Sequence, residues 1–90
     1  LQLPDEYEIA EIAPPKGVWN KTVSELKLRE TYNLNLITIK RAFETEKNGE
    51  LESEYHILGV PKGDTIIYDS DTIIILGTAN DIQRFIEVNR

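Results

Sequence analysis

The chain has 90 residues, 16 of them acidic and 10 basic, with a formal net charge of -6, a pI near 4.7 and 40% hydrophobic residues. That length makes a single domain, burying roughly 60 to 65% of the surface its unfolded chain exposes, which is too small a core to enclose a cofactor. The acidic field repels nucleic acid and anionic lipid, the longest apolar run is far too short to cross a bilayer, and the absence of cysteine excludes disulfides, thiolate metal sites and cysteine nucleophiles.

The first predicted strand is YEIAEIA, residues 7–13, stopped by Pro14 and Pro15, which cannot donate to a ladder. Residues 14–20 read as a loop carrying Gly17 and Trp19, the indole serving as a lid over a small core. Thr22 followed by Glu25 is a capping-box pattern. It opens a predicted helix of about three turns through Val23, Leu26, Leu28 and Tyr32, with Asn33 as a left-handed stop. LNLITIKR then alternates as a strand, placing Asn35, Ile37, Ile39 and Arg41 on one face and Leu36, Thr38 and Lys40 on the other.

Between Glu44 and Glu54 five carboxylates stand against Lys47 alone, around Asn48-Gly49, the dipeptide that a type I′ hairpin turn requires. A two-residue loop there sets Lys47 opposite Glu50, Arg41 opposite His56 and Ile39 opposite Leu58. The tip of that acidic ribbon has little to bury and is expected to be solvated and poorly ordered. TIIY (65–68) and TIIIL (72–76) are β-branched runs of a covered sheet, joined by a compact Asp69-Ser70-Asp71 turn. A final helix is capped by Thr78 or Asn80 and buries Ile82, Phe85 and Ile86. The predicted order is β-α-β-β-β-β-α, an α+β fold with a small sheet and two helices.

Few residues promise chemistry. Asp69 and Asp71 read as a solvated turn, because a calcium loop needs further oxygen ligands. The sole histidine, His56, cannot pair for zinc; it reads as a surface residue or as an anion's rim contact beside Arg41. Gly59, Gly63 and Gly77 form no phosphate-binding loop. The stretch KLRETYNLNLITIKR is the exception, gathering Lys27, Arg29, Lys40 and Arg41, four of the ten basic residues. Solvated surface, ion-pair patch and anion pocket all remain open for it, and for Lys40 and Arg41 the bland reading is solvation or pairing with the acidic ribbon. Arg29 falls where the helix dipole favours a cation, and Asn35, polar on an apolar face, needs a partner from backbone or ligand.

GVWNKTVSELKLRETYNLNLITIKR followed by VPKGDTIIYDSDTIIILGTANDIQRF resembles the C-terminal regulatory domain of potassium-conductance regulators, the RCK-C or TrkA-C family, from about Tyr7 to Phe85. The resemblance implies that residues 1–90 are one such domain pairing about a two-fold axis. Residues 1–6 would be a linker from an absent upstream nucleotide-binding domain, consistent with a chain that contains no methionine and is expected to be cut from a longer protein. It also implies a cytoplasmic, non-enzymatic ligand sensor that reaches a membrane potassium transporter or channel through the full-length protein, without inserting in the membrane itself.

In several members the dimer cleft binds cyclic di-AMP. Carried over, that ligand site falls on Val23, Ser24, Arg29 and Asn35, with Pro61 and His56 at the rim and Arg41 beside them; Ser24 replaces a more usual aliphatic residue. No cofactor is implied in this domain beyond such an effector, and no metal. The alternatives are a purely structural dimerisation module and a regulatory domain of an antiporter or anion transporter.

Overall fold

The computed structural model describes residues 1–90. A four-stranded antiparallel sheet carries the fold, with neighbours in the order β1-β6-β3-β4: β1 is Tyr7–Ile12, β3 Asn35–Lys47, β4 Glu50–Ile57 and β6 Thr72–Thr78. A second, two-stranded sheet pairs β2 (Lys21–Thr22) with β5 (Ile66–Ile67). Three helices complete it, α1 (Val23–Leu26), α2 (Leu28–Tyr32) and α3 (Ala79–Val88), together with a 3-10 turn at Lys16–Val18. The α+β fold and the predicted order are therefore present, with the short β2 added before α1.

One face of the sheet is the core. In β6 the period of two is strict: Ile73, Ile75 and Gly77 are buried, and the residues between them only half so. Ile39 of β3 continues that face beside Ile73, and against it pack Leu34, Ile67, Ile82 and Phe85, with Tyr32 edge-on to Phe85 at 5.2 Å between ring centroids. Gly77 is required by this packing, since a Cβ there would collide with a Leu34 methyl. α3 begins at Thr78, whose hydroxyl accepts from the Asp81 N–H at 3.2 Å, so of the two expected caps Thr78 is the one used. Trp19 is 38% exposed and donates its indole N–H to the Pro14 carbonyl at 2.9 Å.

The expected three-turn helix is instead two short helices, broken at Lys27, which adopts φ 47. The reason lies in the spacing of Leu26 and Leu28, which a continuous helix would place roughly 200° apart. The left-handed residue between them turns both inward, Leu28 into the core and Leu26 against it. Asn33 ends α2 in the left-handed region as expected, at φ 56.

A second correction concerns β3. Its register against β6 shifts between Leu36 and Thr38, so Asn35 pairs with Leu76 while Ile39 pairs with Ile73. The extra residue reverses the alternation. Asn35 consequently shares the outer face with Thr38 and Lys40, and not the core face with Ile39. Beyond the bulge, β3 and β4 form the expected ribbon, with Lys47 opposite Glu50 and Arg41 opposite His56, and the Leu58 N–H donates to the Ile39 carbonyl at 2.9 Å.

Phe85 is fully buried at the centre of this core. Phe85→Ala is expected to cost about 3–5 kcal/mol of unfolding free energy, read from the midpoint of a urea titration, a loss that a domain of this size barely survives.

Candidate functional site

The basic cluster of the sequence splits in space into two pairs with different surroundings. Lys40 and Arg41 are neutralised. The Lys40 ammonium lies 2.9 Å from Glu11 on β1. The Arg41 guanidinium grips Asp71 with two bonds, Nε to Oδ1 at 2.8 Å and Nη2 to Oδ2 at 2.9 Å, and also donates to the Ile66 carbonyl at 2.9 Å. Both pairings differ from the expectation that these residues are solvated or matched with the acidic ribbon.

Asp71 is likewise not a solvated turn residue. Only 3% of it is exposed, and its Oδ2 also accepts from the Tyr68 N–H at 2.9 Å. Hydrogen bonding to Asp71 pushes the Arg41 pKa up, desolvation opposes it, and the Asp71 charge adds to the rise. The aromatic face of Tyr68 covers the guanidinium at 4.8 Å.

Lys27 and Arg29 have no carboxylate within ion-pair distance. Both line an open cavity of about 620 Å³ between the α1–α2 break, the start of β3 and the loop after β4. Its wall also includes Val23, Ser24, Asn35 and Pro61, so five of the seven residues named from the sequence meet there. Arg41 and His56 do not line it. The exposed His56 lies on the ribbon 3.4 Å from Glu54, and Arg41 is occupied by Asp71.

Each part of the wall has a local cause. The capping box fixes α1: the Glu25 N–H donates to the Thr22 hydroxyl at 3.3 Å, and the Thr22 N–H donates to Glu25 Oε1 at 2.9 Å. The following loop is tied to the same turn, with the Ser24 N–H donating to the Gly63 carbonyl and the Val23 N–H to the Thr65 carbonyl, both at 2.9 Å. A Cβ at Gly63 would stand 2.8 Å from the Ser24 hydroxyl, so glycine permits this approach.

Arg29 is aimed by the two left-handed residues flanking α2 and by the bulge that turns Asn35 outward. Its Nε and Nη2 donate to Asn35 Oδ1 at 3.2 and 3.0 Å. This answers the need of Asn35 for a partner, and it leaves the Asn35 amide N–H₂ and the Arg29 Nη1 free to donate elsewhere. Lys27 was flagged only as part of the basic cluster, and sequence reasoning missed Leu28, Glu30, Leu34, Leu36 and Gly63 in this wall. The two leucines on either side of Lys27 were the signal that the helix breaks there.

Residues 7–89 match the family model described as the TrkA-C domain. Among curated proteins, the chain is 27% identical over 85 residues to Ktr system potassium uptake protein C and 28% identical over 85 residues to Ktr system potassium uptake protein A, both of Bacillus subtilis. These alignments cover 94% of this chain and 33% of each relative, so the chain spans about a third of the relatives' length.

Among solved structures, the RCK C domain of the potassium transport protein KtrA, in complex with cyclic diadenosine monophosphate, superposes with a TM-score of 0.65 at 24% identity, covering 93% of this chain and 85% of that one. The RCK domain of GsuK superposes at 0.62 with 19% identity, covering 92% of this chain and 16% of that one. These likenesses establish the fold. No helix is long and apolar enough to cross a membrane.

Two predictions follow from these contacts. Asp71→Ala leaves Arg41 unmatched with only 22% of its side chain exposed, and should cost about 3 kcal/mol by chemical denaturation, the lower end for breaking a buried pair. Hydrogen bonds from Thr22, backbone first, hold the Glu25 carboxyl below its ordinary 4.5. Its contribution is therefore complete above pH 4.5 and is lost as pH falls through the lower folded value. Glu25→Gln should flatten that acid limb in thermal melts recorded at stepped pH.

Proposed function

The chain belongs to the TrkA-C domain family, and from that premise we propose that it is the ligand-sensing module of a potassium-transport regulator, acting as a two-fold dimer that binds a small anion. Cyclic di-AMP is the first ligand to test. The observation that carries this reading is the unpaired Arg29, lying against Asn35 at a cavity of about 620 Å³ that also holds Lys27. In a chain of net charge -6, two cations without ion-pair partners outnumber the single carboxylate on that cavity wall, Glu30, and make it locally basic inside a repulsive field.

The chemistry suits a phosphodiester. Arg29 supplies a charge-assisted donor, stronger than a neutral one, and the Asn35 amide adds a second donor beside it. Val23, Leu34 and Leu36 give the apolar wall on which a base can lie. A two-fold ligand suits a two-fold dimer, since an isologous interface presents each residue twice. The outer face beside the cavity, where Ile9, Ile74 and Leu76 are only half-buried, is the surface a second copy would cover. Ligand that binds the paired form better shifts its population, and a regulator needs no catalytic step for that.

In the full-length protein this shift would pass to an upstream nucleotide-binding domain, joined through residues 1–6, and then to a membrane potassium transporter or channel on its cytoplasmic side. The two Ktr potassium uptake relatives support potassium transport over an antiporter or anion transporter as the regulated system. The internal bonds from Arg29 to Asn35 favour one competing reading, a structural dimerisation module with no ligand.

Calorimetry separates the two. Cyclic di-AMP titrated into the protein should bind saturably at one ligand per two chains, and Arg29→Ala should weaken binding roughly ten- to a hundredfold, the value of one charge-assisted bond. Absence of heat with a dimer still present in sedimentation would favour the structural module.

A further inference from the structure

The two edges of the main sheet differ. The outer edge of β1 is covered: residues 1–3 double back through a turn at Asp5 and Glu6, the Ile9 N–H donates to the Leu1 carbonyl, and the Leu3 N–H donates to the Tyr7 carbonyl, both at 2.9 Å. The outer edge of β4 has no such cover, since β3 is its only neighbour. In the β3–β4 ladder the closing pair is Lys47 with Glu50, and hydrogen-bonded pairs recur at every second position down to Ile39 with Leu58. The backbone N–H and C=O groups of Leu51, Ser53, Tyr55 and Ile57 therefore face outward, unpaired.

Those residues also share one face of the ribbon. On it Leu51 is 73% exposed, Tyr55 63% and Ile57 56%, an apolar row along an open strand. The opposite face of β4 carries Glu50, Glu52, Glu54 and His56. Glu54 is matched by Lys47 at 3.1 Å and approached by His56, whereas Glu50 and Glu52 have no cation within ion-pair distance. Glu44 and Glu46 on β3 are equally unpaired, but they stand opposite Ser53 and Leu51 and so flank the apolar row on its own face.

We propose that the open edge of β4, from Leu51 to Ile57, is a docking site for an extended, basic segment of a partner protein, which adds to the sheet as a fifth strand. An exposed edge is a template for a further strand, and main-chain bonds of this kind give affinity while alternate side chains give specificity. Apolar side chains of the incoming strand lie beside Leu51, Tyr55 and Ile57. Its lysines or arginines, on the other face, meet Glu50 and Glu52. Charge selects the occupant: a second copy of β4 would set one glutamate row against another, and nucleic acid is repelled by the same carboxylates. The acidity thus guards the edge against self-pairing and leaves it open to a cationic strand.

The test is an NMR titration of the ¹⁵N-labelled protein with an alternating lysine–valine heptapeptide. A glutamate–valine peptide and a lysine–valine peptide with a central proline serve as controls. Saturable amide shifts centred on Leu51, Ser53, Tyr55 and Ile57 are expected with the first peptide alone, and the affinity should fall as salt rises. Reversing both free charges, E50K with E52K, should weaken binding about tenfold or more, with amide shifts outside the ribbon unchanged to show that the fold is intact. Tyr55→Pro removes an outward N–H together with the exposed ring, leaves the β3–β4 hydrogen bonds in place, and should abolish binding. The proposal is overturned if no saturable shift appears at these amides, if the glutamate or proline peptide binds equally well, or if the same shifts arise on concentrating the protein without peptide, which would make a second copy the occupant.

Discussion

The register shift in β3 between Leu36 and Thr38 is the constraint on which the rest of the structure depends. Without it Asn35 would point into the core beside Ile39, and an amide would be buried where Ile73 and Phe85 now pack, at a cost of about 1–3 kcal/mol if left without partners. With it, Ile39 keeps its core position while Asn35 faces outward to receive Arg29. Beyond the bulge the same strand sends Lys40 to Glu11 on the outer face and Arg41 to Asp71 on the core side. One extra residue thus lets a single strand serve the core, two ion pairs and the cavity wall.

This arrangement explains how an acidic chain uses clustered positive charge. Arg41 is structural: it joins β3 to the β5–β6 connection through Asp71 and the Ile66 carbonyl, and it satisfies groups that a small core could not leave unpaired. Lys40 is a partly exposed pair of the kind worth at most about 1 kcal/mol. Lys27 and Arg29 have no such duty, and both stand at a cavity. Lys27 lines that cavity, and its left-handed backbone also makes the helix break beside it.

Much of the fold was legible because its signals are local. Asn48-Gly49 fixed the ribbon register, Thr22 with Glu25 fixed the start of α1, and the continuous β-branched run from Thr72 to Leu76 marked a covered strand. The misses arise where tertiary packing overrides local pattern. Helical periodicity over Val23 to Tyr32 hid a break that only the shared burial of Leu26 and Leu28 requires. A period-two reading of LNLITIKR could not contain a bulge, and Asp71 looked like a turn residue because its partner, Arg41, is 30 positions away. Arg29, Asn35, Val23, Ser24 and Pro61 were named through family resemblance; residue spacing alone left the basic cluster undecided. The same spacing could not separate Arg41 and His56 from the cavity, because the bulge and the buried ion pair set their positions.

In the proposed function Arg29, and not Arg41, is the guanidinium that meets an anion. The most direct measurement is the side-chain Nε–H resonance of each arginine during a titration with cyclic di-AMP. A saturable shift of the Arg29 signal, with Arg41 unmoved, is the predicted result. A shift of Arg41 with Arg29 unchanged, or no change in either while ligand binding is detected elsewhere on the protein, would contradict it.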